Sequence, residues 1–481
     1  MKTTIKINLF AASLLLTACK APMATVVQDQ VKNNLPAGYT QNQEKPADST
    51  QNSGLVPWKE FFNEPHLSSL IETALKNNQE LMITLQQIEI AKSDALYKSG
   101  RLKPAVTAGI GAGLDKAGRY TSEGAGDATT EIKPGKEMPD PLGDFSAGFS
   151  ADWEADIWHK LRTEKQSAVA HYLATVEGKN FVLSSLISEI AENYYDLLAL
   201  DNQLDVIRQY IQLQQKAVEM SKIQKQAAAA TELAVKKFQA ELAGSKATEY
   251  TLLQEITEKE NTLNALLGRY PQPIERDKTS FLSIVPKTVY TGIPSQLLAN
   301  RPDIKQAELE LQSAKLDVEA ARKAFYPSVD ISATLGLNAF NPTYLTRIPE
   351  SLAYSIAGDL AGPLINKTAI QAEFKAADAR QIQALYEYDK SILNGYLEVS
   401  NLMSKIHNAD GYYQLKSEES KELDESIGIA EQLFRNSRAD YLEVLTNQRD
   451  ALEARMELIE AKVQQLNTVV AIYKSLGGGW K

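Results

Sequence analysis

Val106-Thr107-Ala108-Gly109-Ile110-Gly111-Ala112-Gly113-Leu114 alternates without a break, apolar side chains at the even positions and threonine or glycine at the odd ones. Successive side chains of a strand point to opposite faces, so this segment has one apolar face and one small or polar face. The pattern returns where Phe145, Ala147, Phe149, Ala151 and Trp153 alternate with Ser146, Gly148, Ser150 and Asp152. It returns again where Val329, Ile331, Ala333, Leu335 and Leu337 alternate with Asp330, Ser332, Thr334 and Gly336, followed by Leu352, Tyr354 and Ile356. Each segment is close to the ~10 residues with which a tilted strand crosses an outer membrane. Lipid on one side and a water-filled lumen on the other would require this two-faced pattern. A half-buried soluble hairpin alternates in the same way, so the strands alone leave both readings open. If they do lie in lipid, four strands cannot close a barrel, and open edges would leave backbone groups unpaired at several kcal/mol each. Several copies must then close one barrel together.

Around the strands the periodicity is helical. From about His159 to Ala227 and from Thr231 to Leu267 apolar residues recur at spacings of three and four, as in Leu183, Leu186, Ile187, Ile190, Tyr194, Leu197 and Leu198. At 1.5 Å per residue the longer of these helices would span roughly 100 Å, so it must lie against other long helices in coiled-coil fashion. Gly477-Gly478-Gly479 before Trp480 stops the last one.

The order of elements occurs twice. Leu75, Asn77, Ala91, Lys92, Asp94, Pro104 and Val106 match Leu298, Asn300, Ala314, Lys315, Asp317, Pro327 and Val329 at a constant offset of 223. Gln239, Leu267 and Gly268 match Gln448, Leu476 and Gly477 at an offset of 209, so the first half carries 14 more residues, within the stretch Tyr120 to Gly143. The chain reads as an internal duplication. Its expected divisions are a signal peptide 1–18, an arm 19–57, a first repeat 58–268, a linker 269–293 and a second repeat 294–481. The first repeat contains a helix, a strand pair 104–156 and a helical hairpin 159–268; the second contains a helix, a strand pair 327–362, a hairpin 367–476 and a tail.

At the amino terminus Lys2 and Lys6 precede the apolar run Leu9 to Leu16, which closes in Leu16-Thr17-Ala18-Cys19. This is an export signal of the kind that leaves a lipid-carrying cysteine as the first mature residue; an ordinary signal peptide with an incidental cysteine is the alternative. Lys20 to about Gly54, rich in Gln, Asn, Thr, Pro and Ala, reads as an extended arm.

Composition narrows the function. Lys+Arg 51 against Asp+Glu 61 gives a net charge of -10, which argues against nucleic acid as a partner. Cys19 is the single cysteine, so neither a disulfide within the chain nor a thiolate metal site is expected. His66, His159, His171 and His407 are scattered without metal-ligand spacing, and the pairs Glu418-Glu419 and Asp424-Glu425 read as solvated helix faces. No phosphate-binding glycine loop or nucleophile elbow is present. An enzyme, a metal and a cofactor are all unexpected.

Three stretches resemble the TolC-like outer-membrane efflux factors, and among them the lipoprotein branch that serves resistance-nodulation-division (RND) pumps. They are Trp58-Lys59-Glu60-Phe61-Phe62 with Leu67, Leu70-Ile71 and Ala74-Leu75-Lys76-Asn77-Asn78; Leu297-Leu298-Ala299-Asn300-Arg301-Pro302-Asp303-Ile304 with Ala307-Glu308 and Tyr326-Pro327-Ser328; and Leu476-Gly477-Gly478-Gly479-Trp480. The resemblance covers essentially the whole mature chain. It implies a mainly α fold with a β-barrel portion: a homotrimer in which each subunit gives four strands to a twelve-stranded transmembrane barrel and its long helical hairpins to a periplasmic α-barrel tunnel. It implies an outer-membrane location with lipid on Cys19, a periplasmic membrane-fusion adaptor and an inner-membrane RND transporter as partners, and passive conduction gated at the periplasmic tip.

The resemblance also places sites. Adaptor docking falls at the helix-turn-helix tips, on Ala228, Thr231, Glu232, Ser437, Arg438 and Asp440. Family members usually carry glycine where this chain has Ala228 and Ser437. The closed aperture falls on Leu442, Thr446 and Arg449, with Thr446 replacing the usual carboxylate and Glu443 resembling an acidic position of some members. These positions share a helix face, so three copies would bring three leucines and three arginines together, with Arg449 facing Glu443 or Asp450 of a neighbour. An ordinary solvated helix face remains open there. So does a rival function, a periplasmic helical scaffold or adaptor lipoprotein, which should lack lipid-length strand pairs.

Overall fold

The computed structural model describes residues 22–25, 32–39, 51–278, 281–362, 367–436 and 438–481. Cys19 and Ser437 lie outside them. In order, the main elements are α1 Pro65–Asn77, α2 Gln79–Gly100, β1 Ala105–Asp115, α3 Ser122–Thr129, β2 Leu142–Glu154, α4 Lys160–Gln226 and α5 Glu232–Leu266. The second half follows as α6 Ser295–Asn300, α7 Pro302–Lys323, β3 Ser328–Ala339, β4 Leu352–Ala361, α8 Thr368–Arg435 and α9 Tyr441–Ser475.

The chain folds as two compact units that cut across the repeats. One comprises 89–173 and 309–385 with the described residues at 22–25; the other comprises the described part of 29–88 with 174–308 and 386–481.

The first unit contains an antiparallel sheet in the order β1-β2-β3-β4. Both hairpins thus join one sheet, with Phe149 opposite Ala108 on one side and Leu335 on the other, and Leu335 opposite Tyr354. The insertion between β1 and β2 holds α3, capped by Thr121, and a short hairpin of Glu131–Lys133 with Lys136–Glu137. Beneath the sheet α7 crosses α4 closely. Ser167 and Ser313 hydroxyls lie 2.9 Å apart, Ser167 donates to Asp317 at 2.5 Å, and Lys323 donates to the Thr163 hydroxyl at 2.8 Å. Small residues at the crossing allow this approach.

The second unit is built on the continuous core Leu67, Ile71, Ile187, Ile190, Tyr194, Leu197, Leu263 and Tyr473, each at most 1 % exposed. Tyr473 stacks on Phe61 with ring centroids 3.9 Å apart and donates to the Val56 carbonyl at 2.7 Å. Helices α5 and α9 end alike. Gly268 and Gly477 take the left-handed backbone at φ 66° and 86°, and the paired bonds Arg269 N→Asn264 O and Gly478 N→Tyr473 O, each 3.0 Å, close a Schellman turn.

The arm is more than extended chain. Thr25 donates through both its amide and its hydroxyl to Asp378 in the first unit. In the second unit Tyr39 is 2 % exposed and stacks on Tyr396, whose hydroxyl donates to the Gly38 carbonyl. Aromatic stacking holds these residues where the composition alone suggested loose chain.

Candidate functional site: the strand wall and the helix tips

The strand register sorts every side chain of the sheet onto one of two faces, because directly paired residues share a face. One face carries Val106, Ile110, Leu114, Phe149, Leu335, Tyr354, Ile356 and Leu360, all between 54 % and 91 % exposed in the single chain. The other carries Thr107, Ser150, Thr334, Ser355, Asp144 and Asn338, joined across strands by Thr107–Ser150 and Thr334–Ser355 contacts of 2.7 Å and by Asn338 donating to Asp144 at 3.1 Å. A sheet exposing that much contiguous apolar surface is not the wall of a water-soluble protein. Apolar outside and hydrogen-bonded polar groups inside is the arrangement of a transmembrane barrel. β1 and β4 are the edges of the sheet in the single chain. No helix among the described residues is long and apolar enough to cross a membrane.

In the second unit the two helical tips share one geometry. Thr231 caps α5 by accepting from Ala234 N at 3.2 Å, and Asp440 caps α9 by accepting from Leu442 N at 2.7 Å and Glu443 N at 3.1 Å. Ala229 N bonds Gln224 O and Arg438 N bonds Leu433 O, both at 2.8 Å and both 209 residues apart. Ala228 has φ 57°, the left-handed conformation for which glycine is the favoured residue. Glu232 pairs with Lys225 across the first turn, which holds its carboxyl below the usual carboxylate range.

Past the second tip Leu442, Glu443, Thr446 and Arg449 are all exposed on one face of α9, while Val444 and Gln448 point into the unit. Arg449 donates to its own neighbour Asp450 at 3.1 Å. With 65 % of the Arg449 side chain exposed, that pair is wet and easily broken. Among the described residues no group of three or more His, Cys, Asp or Glu forms a metal cage.

Sequence reasoning missed the fastening of the segment between the repeats. Asp201 on α4, with its side chain 1 % exposed, receives Arg276 through Nη2 at 3.0 Å and Lys278 at 2.9 Å, while Arg276 also reaches Glu260 at 2.5 Å. Arg276 and Asp201 lie 75 residues apart, and no local pattern announces the pair.

Fold and wall together define a membrane channel protein that combines a strand wall with long helices. The chain belongs to the outer membrane efflux protein family, whose model matches residues 70–269 and 293–478. It is 28 % identical over 476 residues to the pyoverdine export outer membrane protein OpmQ of Pseudomonas aeruginosa, covering 99 % of this chain and 97 % of that one. It is also 28 % identical over 440 residues to the solvent efflux pump outer membrane protein SrpC of Pseudomonas putida, covering 88 % and 87 %. The outer-membrane channel OprN superposes with a TM-score of 0.82 at 23 % identity, covering 95 % of this chain and 99 % of OprN, a likeness of fold. The protein is thus an efflux component of the outer membrane, with helices for an α-barrel tunnel and strands for a β-barrel.

Proposed function

We propose that this chain is the exit duct of a tripartite pump. Three copies close a twelve-stranded barrel, and their helical hairpins continue it as a tunnel through the periplasm. A membrane-fusion adaptor docks on the tips bearing Ala228, Thr231, Glu232, Ser437, Arg438 and Asp440, and an inner-membrane RND transporter supplies the energy. The duct itself conducts passively and catalyses no reaction. Leu442, Glu443, Thr446 and Arg449 line its closed inner end, and lipid on Cys19 assists its placement. The two repeats are 58–268 and 294–481, joined by the linker 269–293.

The observation that supports this best is the apolar, solvent-exposed face of a four-stranded sheet whose two edge strands are free. A periplasmic scaffold built from the same hairpins would have no use for such a face and would aggregate through it. Relatives named for pyoverdine export and for solvent efflux each match most of this chain's length, so cargo choice is assigned to the inner-membrane partner rather than to this duct. The test is heat-modifiability of the protein in the outer-membrane fraction. A trimer band that collapses on boiling supports the duct; a monomer released by salt from the periplasmic face contradicts it.

A further inference from the structure

About two helical turns from the tips, side chains of α4, α5, α8 and α9 in the second unit border a cavity of about 180 Å³. Leu213 and Met220 of α4, Phe238 of α5, Phe434 of α8 and Val444 of α9 make its apolar walls. Phe238 and Val444 are 1 % and 2 % exposed, and the Phe238 and Phe434 ring centroids lie 6.5 Å apart, giving one aromatic surface. Gln448 also lines the cavity, itself 1 % exposed. Its Nε2 donates to Glu431 Oε1 at 3.5 Å, and among the described residues no donor reaches its Oε1.

We infer that this cavity is a binding site for a monocyclic phenol, whose ring packs on Phe238 and Phe434 and whose hydroxyl donates to Gln448 Oε1. The site goes beyond the duct proposed above and does not depend on it.

Size selects a single ring. An apolar cavity of about 150 Å³ binds benzene, so this one has room for a ring with one small substituent. A third ring completes an aromatic cluster at the usual centroid distances of about 4.5–7 Å, and the flexible thioether of Met220 adapts the opposite wall to it.

The buried acceptor selects a donor. An oxygen removed from water without a partner costs about 1–3 kcal/mol, which a guest hydroxyl recovers and a plain hydrocarbon does not. Glu431 can only accept, so it holds the nitrogen of the carboxamide and leaves the oxygen for the guest. Both groups disfavour an anionic guest. The exposed Lys216 and Arg435 also border the cavity, so it has a polar margin and a dry interior.

The aromatic wall is not inherited from the duplication. At the offset of 209 Phe238 corresponds to Asn447 and Phe434 to Lys225. Coiled-coil periodicity therefore does not account for this pair of rings. Val444 and Gln448 occupy the buried side of the same turns of α9 whose exposed side carries Glu443, Thr446 and Arg449, so a bound ring braces those turns from behind.

Fluorine NMR of the purified full-length protein in lipid nanodiscs tests the site, with 4-fluorophenol and fluorobenzene as probes. Native protein should bind 4-fluorophenol more tightly than fluorobenzene. Gln448→Met, close in shape and without the acceptor, should weaken 4-fluorophenol by about tenfold and leave fluorobenzene bound. Ala217→Phe should fill the cavity and bind neither, which also measures partition into the lipid; if it does not fold, Met220→Trp fills the same space from the next turn of α4. Hydrogen exchange of the Leu445 to Arg449 amides should slow on adding 4-fluorophenol to native protein and stay unchanged in the filled variant. Native protein that binds no more probe than the filled variant, or a Gln448→Met variant with the native preference, overturns the site. Binding that leaves those amides unchanged overturns the bracing of α9.

Discussion

Asn78 and Arg301 occupy equivalent places 223 residues apart, and each donates to the carbonyl that closes the helix of its own repeat: Asn78 Nδ2 to Leu266 O at 2.9 Å, Arg301 Nη1 to Ser475 O at 2.8 Å. The duplication has kept the bond and changed the group that makes it. Arg301 is 7 % exposed and also pairs with Asp303 and Glu398, each at 2.8 Å. Asn78 Oδ1 also accepts from Leu81 N at 2.9 Å and so caps α2, so Asn78→Ala should cost about 2 kcal/mol, and Arg301→Ala about 3 kcal/mol or more, since charged partners are left behind. Thermal unfolding of the purified protein measures both; equal losses would mean that the two carboxylates of Asp303 and Glu398 add no more than the helix cap does.

The paired turns at Gly268 and Gly477 should resist any side chain. Their φ values of 66° and 86° are strained for other residues, and a Cβ would strike the Asn77 and Asn300 carbonyls respectively. Alanine at either place is expected to destabilise by about 1–3 kcal/mol. Failure of both variants to lower the unfolding temperature would contradict the close approach.

Ala228 offers the opposite case. Alanine at φ 57° carries about 1 kcal/mol of conformational cost, and Ala228→Gly removes it while giving back part through a freer unfolded chain. Hydrogen exchange of the Ala229 and Ala230 amides, both bonded to Gln224 O, should slow in the variant. Faster exchange would show that the turn depends on the methyl group.

Arg449→Ala should leave stability nearly unchanged, because its partner Asp450 is an exposed neighbour on the same helix. If the residue holds the inner end shut, the unattached trimer should conduct more in a planar bilayer. Unchanged conductance would remove Arg449 from the gate.

His171 predicts a pH dependence. Glu310, bonded to it at 3.1 Å, raises its proton affinity; partial burial opposes this, and Asp94 and Asp317 add to the increase. A group whose folded pKa is raised stabilises the fold fully below its unfolded value, here 6.5, and the benefit fades as pH climbs through the higher folded value. Unfolding temperature measured from about pH 5 to pH 8 should therefore fall more in the native protein than in His171→Gln. Parallel curves would contradict the assignment.

Much of this was legible in the sequence because the physics is periodic. A wall with lipid on one side writes itself as strict alternation, and Val106 to Leu114 could be read directly. The stop at Gly477 is a local signal that could be read in the same way. The fastening of Arg276 to Asp201, the burial of Tyr39 and the ordered insertion around α3 were not legible. Each depends on a partner far along the chain or on a lone aromatic residue in polar sequence, and neither leaves a period. The tips were reached through resemblance, and only the backbone revealed that Ala228 takes a glycine's conformation.

The central claim is that one face of the sheet meets lipid and the other meets water. Cysteine placed singly at Ile110 and at Thr334, on opposite faces, tests it with a membrane-impermeant maleimide applied to outer-membrane vesicles and compared with the unsubstituted chain. Labelling at Thr334→Cys and protection at Ile110→Cys until detergent is added is the predicted result. Equal labelling at both positions before detergent would contradict a membrane-spanning wall.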